Sequence, residues 1–382
     1  MSVWDTSERL ALREAVQAFA VREILPYQET WEEDGNVPIE LHKKAAELGL
    51  LGIQFPEMAG GSGGSMVDST IVNEALHEAG VAGGVFVSLF NCAIAVPHVI
   101  EAGDLAQIDR WVKPTLAGDM IGSLGITEPS GGSDVGHLLT TAVRDGDHYI
   151  VNGSKTFISS ATRGQFVTTA VRTGGPGASG VSLLVIETDR PGFSISRKLK
   201  KMGWLASDTA ELSYVDVRVP VTNLVGAENT GFAQIAKHFV SERVMLAAQA
   251  YSSAQRCLDL SVAWCRDRET FGQPLITRQA VQNTLTEMAR RIDVARVYTR
   301  DIAARSEAGE TDLVAQVCFA KNTAVEAGEW VASQAVQLFG GMGYMRESEV
   351  ERQYRDMRLY GIGGGTTEIL TGLAAKRLGY QS

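Results

Sequence analysis

The spacing of hydrophobic positions changes twice along the chain, and the changes mark out three regions. From the N-terminus to about residue 118, apolar residues recur at helical intervals. Leu10, Val16 and Phe19 read as one helix face, as do Leu41, Ala45 and Leu48, a stripe that stops at Gly49. A glycine-rich loop, Ala59 to Ser65, interrupts, and a further helix is predicted to begin near Asp68. Around Ile121 the pattern turns into short β-type runs with turn signals between them. Thr141–Arg144 precedes Asp145-Gly146-Asp147, and Tyr149–Val151 precedes Asn152-Gly153, read as a turn. Phe166–Arg172 leads to a Gly-Gly-Pro-Gly loop, and Val181–Glu187 follows. After Gly231 the spacing is helical again almost to Ser382, broken by glycines at 340–343 and 361–365. Helical, β, helical in that order argues for segregated regions over an alternating βαβ chain. The expected fold class is therefore mainly α with a central β domain: a helical domain over 1–120, a β domain over 121–228 and a helical domain over 229–382.

Composition sharpens this in one respect. Glycine is in excess, 40 of 382 residues, against a usual share of roughly 7%. Prolines number only 10, so the chain is no Pro/Gly-rich disordered polymer, and the glycines belong in particular turns and close approaches. Charge excludes partners instead of suggesting them. The 45 acidic residues outnumber the 35 basic ones, the reverse of a phosphate-neutralising surface, so no nucleic acid is expected. Arg352, Arg355 and Arg358 are interleaved with Glu351 and Asp356 and read as an ion-paired helix face. No apolar run approaches the ~18–20 residues of a membrane span. Asp5, Glu8 and Arg9 disrupt any signal-peptide pattern, so no membrane is expected and a cytoplasmic location is. Cys92, Cys257, Cys265 and Cys318 are scattered, and no metal site is expected.

Three motif fragments imitate known sites and fail on context. Gly60-Gly61-Ser62-Gly63-Gly64 fits a nucleophile elbow but follows Pro56 in a helical region, without the strand the motif needs. Gly153-Ser154-Lys155-Thr156 has His148 where a phosphate-binding loop requires glycine, and Gly361-Ile362-Gly363 lacks the third glycine of a dinucleotide fingerprint.

The segment Ile126-Thr127-Glu128-Pro129-Ser130-Gly131-Gly132-Ser133-Asp134, at the helical-to-β junction, is different. It gathers hydroxyls, a carboxylate and two glycines where backbone N–H groups can approach a planar polar ligand. It resembles the flavin-binding signature of the acyl-CoA dehydrogenase family, and further segments resemble that family in the same order. These are Lys155-Thr156-Phe157-Ile158-Ser159, Lys201-Met202-Gly203-Trp204 with Ser207-Asp208-Thr209, and Asp216-Val217-Arg218-Val219-Pro220. Arg268-Glu269-Thr270-Phe271-Gly272, Gln337-Leu338-Phe339-Gly340-Gly341 and Gly365-Thr366-Thr367-Glu368-Ile369 complete the set.

The resemblance implies a helical N-terminal domain, a β-barrel or sandwich middle domain and a C-terminal four-helix bundle, in a homotetramer that binds FAD. Leu124, Ile126, Thr127, Gly132 and Ser133 would contact the flavin, Phe157 would lie over it, and Ser159 would hydrogen-bond near it. Phe157 stands where tryptophan is common in the family. Arg268, Phe271, Gln337 and Gly341 would come from a neighbouring subunit to hold the ADP half, with Thr366 and Glu368 also bordering the cofactor. The implied reaction is α,β-dehydrogenation of an acyl-CoA to the trans-2-enoyl-CoA, with electrons passed to an electron-transferring flavoprotein. The competing readings are an oxidase that uses oxygen and a catalytically silent acyl-CoA-binding or assembly subunit.

Many family members carry the catalytic carboxylate directly before the Gly-Thr of the last motif, where this chain has Gly364. That glycine can still offer a backbone N–H to the thioester carbonyl. Isovaleryl-CoA and long-chain members carry the base earlier, as Glu-Arg, matching Glu242-Arg243 here. Ile235, Phe239, Glu242 and Leu246 share one helical stripe, so Glu242 is expected among apolar residues with its pKa raised. His238, one turn earlier, is placed to modulate it. Ser133, Arg243 and Gly363 are candidate substrate contacts, and the glycines at 361 and 363–365 predict a wide pocket for branched or bulky acyl groups.

Overall fold

The computed structural model describes residues 2–380. The N-terminal region is a set of packed helices. Ser7–Phe19 starts where the Thr6 hydroxyl accepts from the Arg9 N–H, and it buries Val16 and Phe19. Leu10 is exposed, contrary to the predicted stripe: six residues from Val16 is 240° around the helix, on the far side. Leu48 is exposed too, because helix Ile39–Glu47 ends just before it. Helix Met66–Ala79 opens with a reciprocal capping box between Ser65 and Asp68. Most of its side chains are buried.

Seven strands form the middle region: β1 Gly122–Gly125, β2 Thr141–Asp145, β3 His148–Ser159, β4 Phe166–Arg172, β5 Val181–Glu187, β6 Phe193–Lys198 and β7 Thr209–Pro220. They make one curled half-barrel sheet in the order β1-β4-β2-β3-β7-β6, with β5 also on β4. Antiparallel pairing dominates, while β1 runs parallel to Phe166–Thr169 of β4. The expected turn at Asn152-Gly153 is absent. β3 runs straight through it for 12 residues, paired with β7, and the register shifts between Val151 and Gly153. Long-range pairing overrides the local turn signal, and the irregularity absorbs the φ of +148° at Gly153, where a Cβ would lie 2.6 Å from the Thr140 hydroxyl.

Four helices, Gly231–Asp267, Gln279–Glu307, Val314–Phe339 and Glu349–Tyr360, form the C-terminal bundle, and Thr367–Arg377 packs against Val314–Phe339. Among the described residues no single helix is long and apolar enough to cross a membrane. Two buried carboxylates tie the regions together. Asp356 of the bundle accepts from the Gly83 N–H at 3.1 Å and the Trp204 N–H at 2.6 Å, joining all three regions. Glu74 of the N-terminal region accepts from Tyr251 at 2.6 Å and from both arms of Arg300, with Arg13 on its other side. Hydrogen bonds to a charged group such as Asp356 are typically worth ~1.5–3 kcal/mol, and breaking a buried ion pair such as Glu74–Arg300 costs ~3–5 kcal/mol, so they hold the regions in register around the junction described next.

Candidate functional site

The loop after β1 is held against β3 from beneath. Thr156 donates its N–H to the Thr127 carbonyl at 2.9 Å, and the Thr127 hydroxyl returns a bond to the Thr156 carbonyl. Lys155, wholly buried, donates to the Ile126 carbonyl at 3.0 Å and to Glu128 at 2.8 Å. Glu128 also accepts the N–H groups of Leu139 at 2.6 Å and Thr140 at 2.9 Å. Burial works to raise the Glu128 pKa, but Lys155 and these hydrogen bonds outweigh it and leave the carboxyl below its ordinary value. Burial likewise takes Lys155 down to about 8. Both residues sit inside the sequence motifs, yet the pairing was invisible there because 27 residues separate them.

What the clamp presents is an exposed stretch of loop. Gly131, Gly132 and Ser133 are exposed, and Thr127 and Leu124 are half-buried beside the buried Ile126. Phe157 has φ +60° and lies between the Lys155 and Ile158 pairings, where the β3–β7 register shifts again. The irregularity turns its ring outward, 69% exposed, with Ser159 half-buried two positions on. An outward aromatic near a loop whose Ser133 hydroxyl and Gly132 N–H have no partner among the described residues fits a planar, polar-edged ring system such as a flavin.

Beside Leu124 the long helix Gly231–Asp267 closes a small recess whose lining includes Ile94, Pro97, Leu124, Phe239 and Glu242. Glu242 receives no hydrogen bond from the described residues, and burial raises its pKa, with Arg243 and Lys321 as nearby cations partly opposing the rise. Gly364 comes alongside. A Cβ there would stand 3.5 Å from Glu242 Oε1, so the two positions where the family places its base are neighbours in space. The Gly364 N–H meets no acceptor among the described residues, whereas its carbonyl accepts from Arg243 Nε at 3.0 Å.

The carbonyls on either side are gripped by Lys321, which donates to Gly363 at 2.6 Å and Gly365 at 2.5 Å. Burial lowers the Lys321 pKa to about 8 despite Glu242 nearby. No sequence signal pointed to Lys321. Its position within an amphipathic helix resembles any surface lysine.

Three expectations change. Arg243, a candidate substrate contact, is buried against the ring of Phe239 and spends its Nε on the Gly364 carbonyl, which makes it a support for the loop. Gly363 also has both backbone groups engaged, its N–H with the Leu359 carbonyl at 2.9 Å and its carbonyl with Lys321. Most of the glycine cluster does not widen the site. Added Cβ atoms would meet Arg358 at 2.8 Å from Gly361, Leu246 at 2.4 Å from Gly364 and Leu370 at 3.0 Å from Gly365, so side chains already fill the space at these three, while at Gly363 the nearest atom is the Leu359 carbonyl oxygen at 3.6 Å.

Of the remaining candidates, two continue this loop and four lie far from it. Thr366 caps helix Thr367–Arg377 by accepting from the Ile369 N–H at 3.3 Å, and Glu368 in its first turn is exposed with a lowered pKa from backbone and Thr366 hydrogen bonds. Arg268, Phe271, Gln337 and Gly341 are exposed at the far end of the bundle. From Glu242 to Asp267 the helix spans about 38 Å at 1.5 Å per residue, so this group is remote from the recess of its own chain. Trp264 Nε1 donates to the Leu338 carbonyl at 3.2 Å, which holds the two far helix ends together. Phe271 stands 96% exposed on a two-stranded hairpin there.

Comparison with known proteins follows this geometry. The chain matches the family descriptions acyl-CoA dehydrogenase N-terminal domain at residues 6–119, middle domain at 123–217 and C-terminal domain at 229–379. It is 38% identical over 98% of both chains to the probable acyl-CoA dehydrogenase YngJ of Bacillus subtilis. It is 36% identical to the mitochondrial long-chain specific acyl-CoA dehydrogenase of Rattus norvegicus, over 98% of this chain and 87% of that one. A Mycobacterium smegmatis structure, provisionally assigned as an acyl-CoA dehydrogenase, superposes with a TM-score of 0.99 at 69% identity, covering 100% of both chains.

Proposed function

The chain belongs to the acyl-CoA dehydrogenase family, and on that premise we propose that Glu242 is the base that removes the α-proton of its acyl-CoA substrate. The activity is FAD-dependent dehydrogenation of an acyl-CoA to the enoyl-CoA, with electrons passed on to an electron-transferring flavoprotein. The observation that carries the assignment of Glu242 is its place in the recess. It is an unpaired carboxylate of raised pKa among apolar side chains, beside the Gly364 N–H, which has no protein partner among the described residues. A base of raised pKa is better matched to a weakly acidic C–H than an ordinary exposed carboxylate.

Gly364 offers its N–H to the thioester carbonyl oxygen, where negative charge develops as the α-proton leaves. Lys321 and Arg243 keep that N–H in place through the three loop carbonyls. Leu124, Ile126, Thr127, Gly132, Ser133, Phe157 and Ser159 would hold the flavin ring; FAD, when bound, supplies the acceptor for the β-hydride. Thr366 and Glu368 would border it. Ser133 would also face the substrate.

Arg268, Phe271, Gln337 and Gly341 would serve the ADP half of a cofactor bound mainly by a neighbouring subunit, in a homotetramer. Their distance from the recess of their own chain supports this sharing, as does a bare phenyl ring that a partner would cover. The test is Glu242→Gln. The variant should copurify with FAD and bind acyl-CoA, yet bleach its flavin anaerobically about a hundredfold to ten-thousandfold more slowly. Near-full turnover would remove Glu242 from the mechanism.

A further inference from the structure

The recess beside Glu242 contains two imidazoles that dehydrogenation does not require. His98, on helix Pro97–Ala102, is 2% exposed, and its buried Nδ1 has no partner. His238 lies one helical turn before Glu242. Its Nε2 stands 2.7 Å from a Glu101 oxygen, but the angle makes no hydrogen bond. The two rings meet edge to face, 4.8 Å between centroids. Ile94, Pro97, Leu124 and Phe239 make the walls around them apolar.

A buried ring nitrogen left unsatisfied is costly, and native sites that keep one usually meet a ligand or an ordered water there. Burial, and secondarily His238, takes the His98 pKa down to about 3, so His98 is neutral at physiological pH. Burial also lowers His238, against the pull of Glu101. A neutral imidazole presents one N–H donor and one acceptor nitrogen. Glu101, which also pairs with exposed Lys237, puts negative charge beside His238 and opposes a carboxylate entering from the recess.

We propose that His98 and His238 form a polar floor to the acyl recess and select a short acyl chain bearing an uncharged hydrogen-bonding group, a hydroxyl or keto oxygen, at its distal end. This rests on the reading of the recess as the acyl site. The spacing sets the length: His238 lies four residues before Glu242, about 6 Å along the helix axis, so the polar group belongs only a few carbons beyond the α-carbon that Glu242 faces. A site built to bond an oxygen rejects the analogue lacking it far more strongly than an apolar pocket rejects a missing methylene.

The test uses the holoprotein with hexanoyl-CoA, 5-oxohexanoyl-CoA, 5-hydroxyhexanoyl-CoA and adipoyl-CoA, read by anaerobic flavin bleaching and by kcat/KM. The oxo or hydroxy compound should exceed both hexanoyl-CoA and adipoyl-CoA by at least about tenfold. His98→Leu should lower the oxo-to-hexanoyl ratio by at least that factor, and His98→Gln, which keeps a donor and an acceptor, should retain most of it. If His98→Leu loses its flavin, the wild-type ratios and His98→Gln decide. Hexanoyl-CoA or adipoyl-CoA matching both uncharged polar substrates in the wild type overturns the inference while leaving dehydrogenation intact. No bleaching by any compound overturns the acyl-site reading and this inference together.

Discussion

Replacing Gly364 with alanine tests how tightly the loop is built around Glu242. The residue sits at φ +65°, and an L side chain in that left-handed region costs roughly 1–2 kcal/mol. The new Cβ would also lie 2.4 Å from Leu246 Cδ1, an overlap that the buried leucine must move to relieve. Overpacking of that kind typically adds ~1–3 kcal/mol, which brings the total to about 2–5 kcal/mol. Thermal unfolding of the holoprotein should show a clear fall in midpoint. Because the N–H offered to the thioester shifts with the loop, kcat should fall more than KM rises.

The source of the strain is separable. Leu246→Ala alone should cost ~2–5 kcal/mol as a cavity, but it empties the space the alanine needs. The double variant should therefore be more stable than the sum of the two single changes by about 1–3 kcal/mol. Strict additivity, or a Gly364→Ala protein as stable as the parent, would show that the packing between Leu246 and the loop is not what holds it.

Three further outcomes are expected. Glu242 has a folded pKa raised by burial above the ordinary 4.5, so its contribution to stability is full below 4.5 and is lost as pH rises through the raised value. Glu242→Gln should accordingly unfold at a higher temperature than wild type at pH 8, with the difference shrinking toward pH 4; equal midpoints at pH 8 would contradict the burial. Lys321→Met removes two charge-assisted bonds to the Gly363 and Gly365 carbonyls, each worth ~1.5–3 kcal/mol, and a cation near Glu242. Its pH profile of kcat/KM should have the rising limb displaced to higher pH, whereas an unshifted limb would limit Lys321 to packing. Arg268→Ala should leave thermal unfolding of the apoprotein unchanged but weaken flavin retention about tenfold or more, measured as the flavin-to-protein ratio after dialysis. Undiminished retention would sever Arg268 from the cofactor.

The order of helical, β and helical regions was legible because periodicity is a local property. A run such as Phe166–Arg172 or Val181–Glu187 carries its burial pattern in its own residues, and both strands have the predicted limits. The stripe of Ile235, Phe239, Glu242 and Leu246 was likewise readable, since one helix face is set by spacing alone. Leu10 and the supposed turn at Asn152-Gly153 failed where geometry beyond the nearest neighbours decided: the rotation of a helix, and the pairing of β3 with β7.

What only the tertiary structure decided is how the pieces meet. The sequence alone determined that the later base position is a glycine and that Glu242 lies on an apolar stripe; it could not say that Gly364 and Glu242 are in contact range. Nor could it show that Leu246 fills the space that the glycines seemed to open, or that Lys321 and Arg243 grip three successive carbonyls of the loop. His98 came to the recess on a helix from another region of the chain. These encounters depend on the relative placement of three regions, which long-range buried contacts such as those of Asp356 and Glu74 establish. Hydrogen bonds and ion pairs between distant residues leave no periodic trace along the chain, and so the chemistry's location was readable while its support was not.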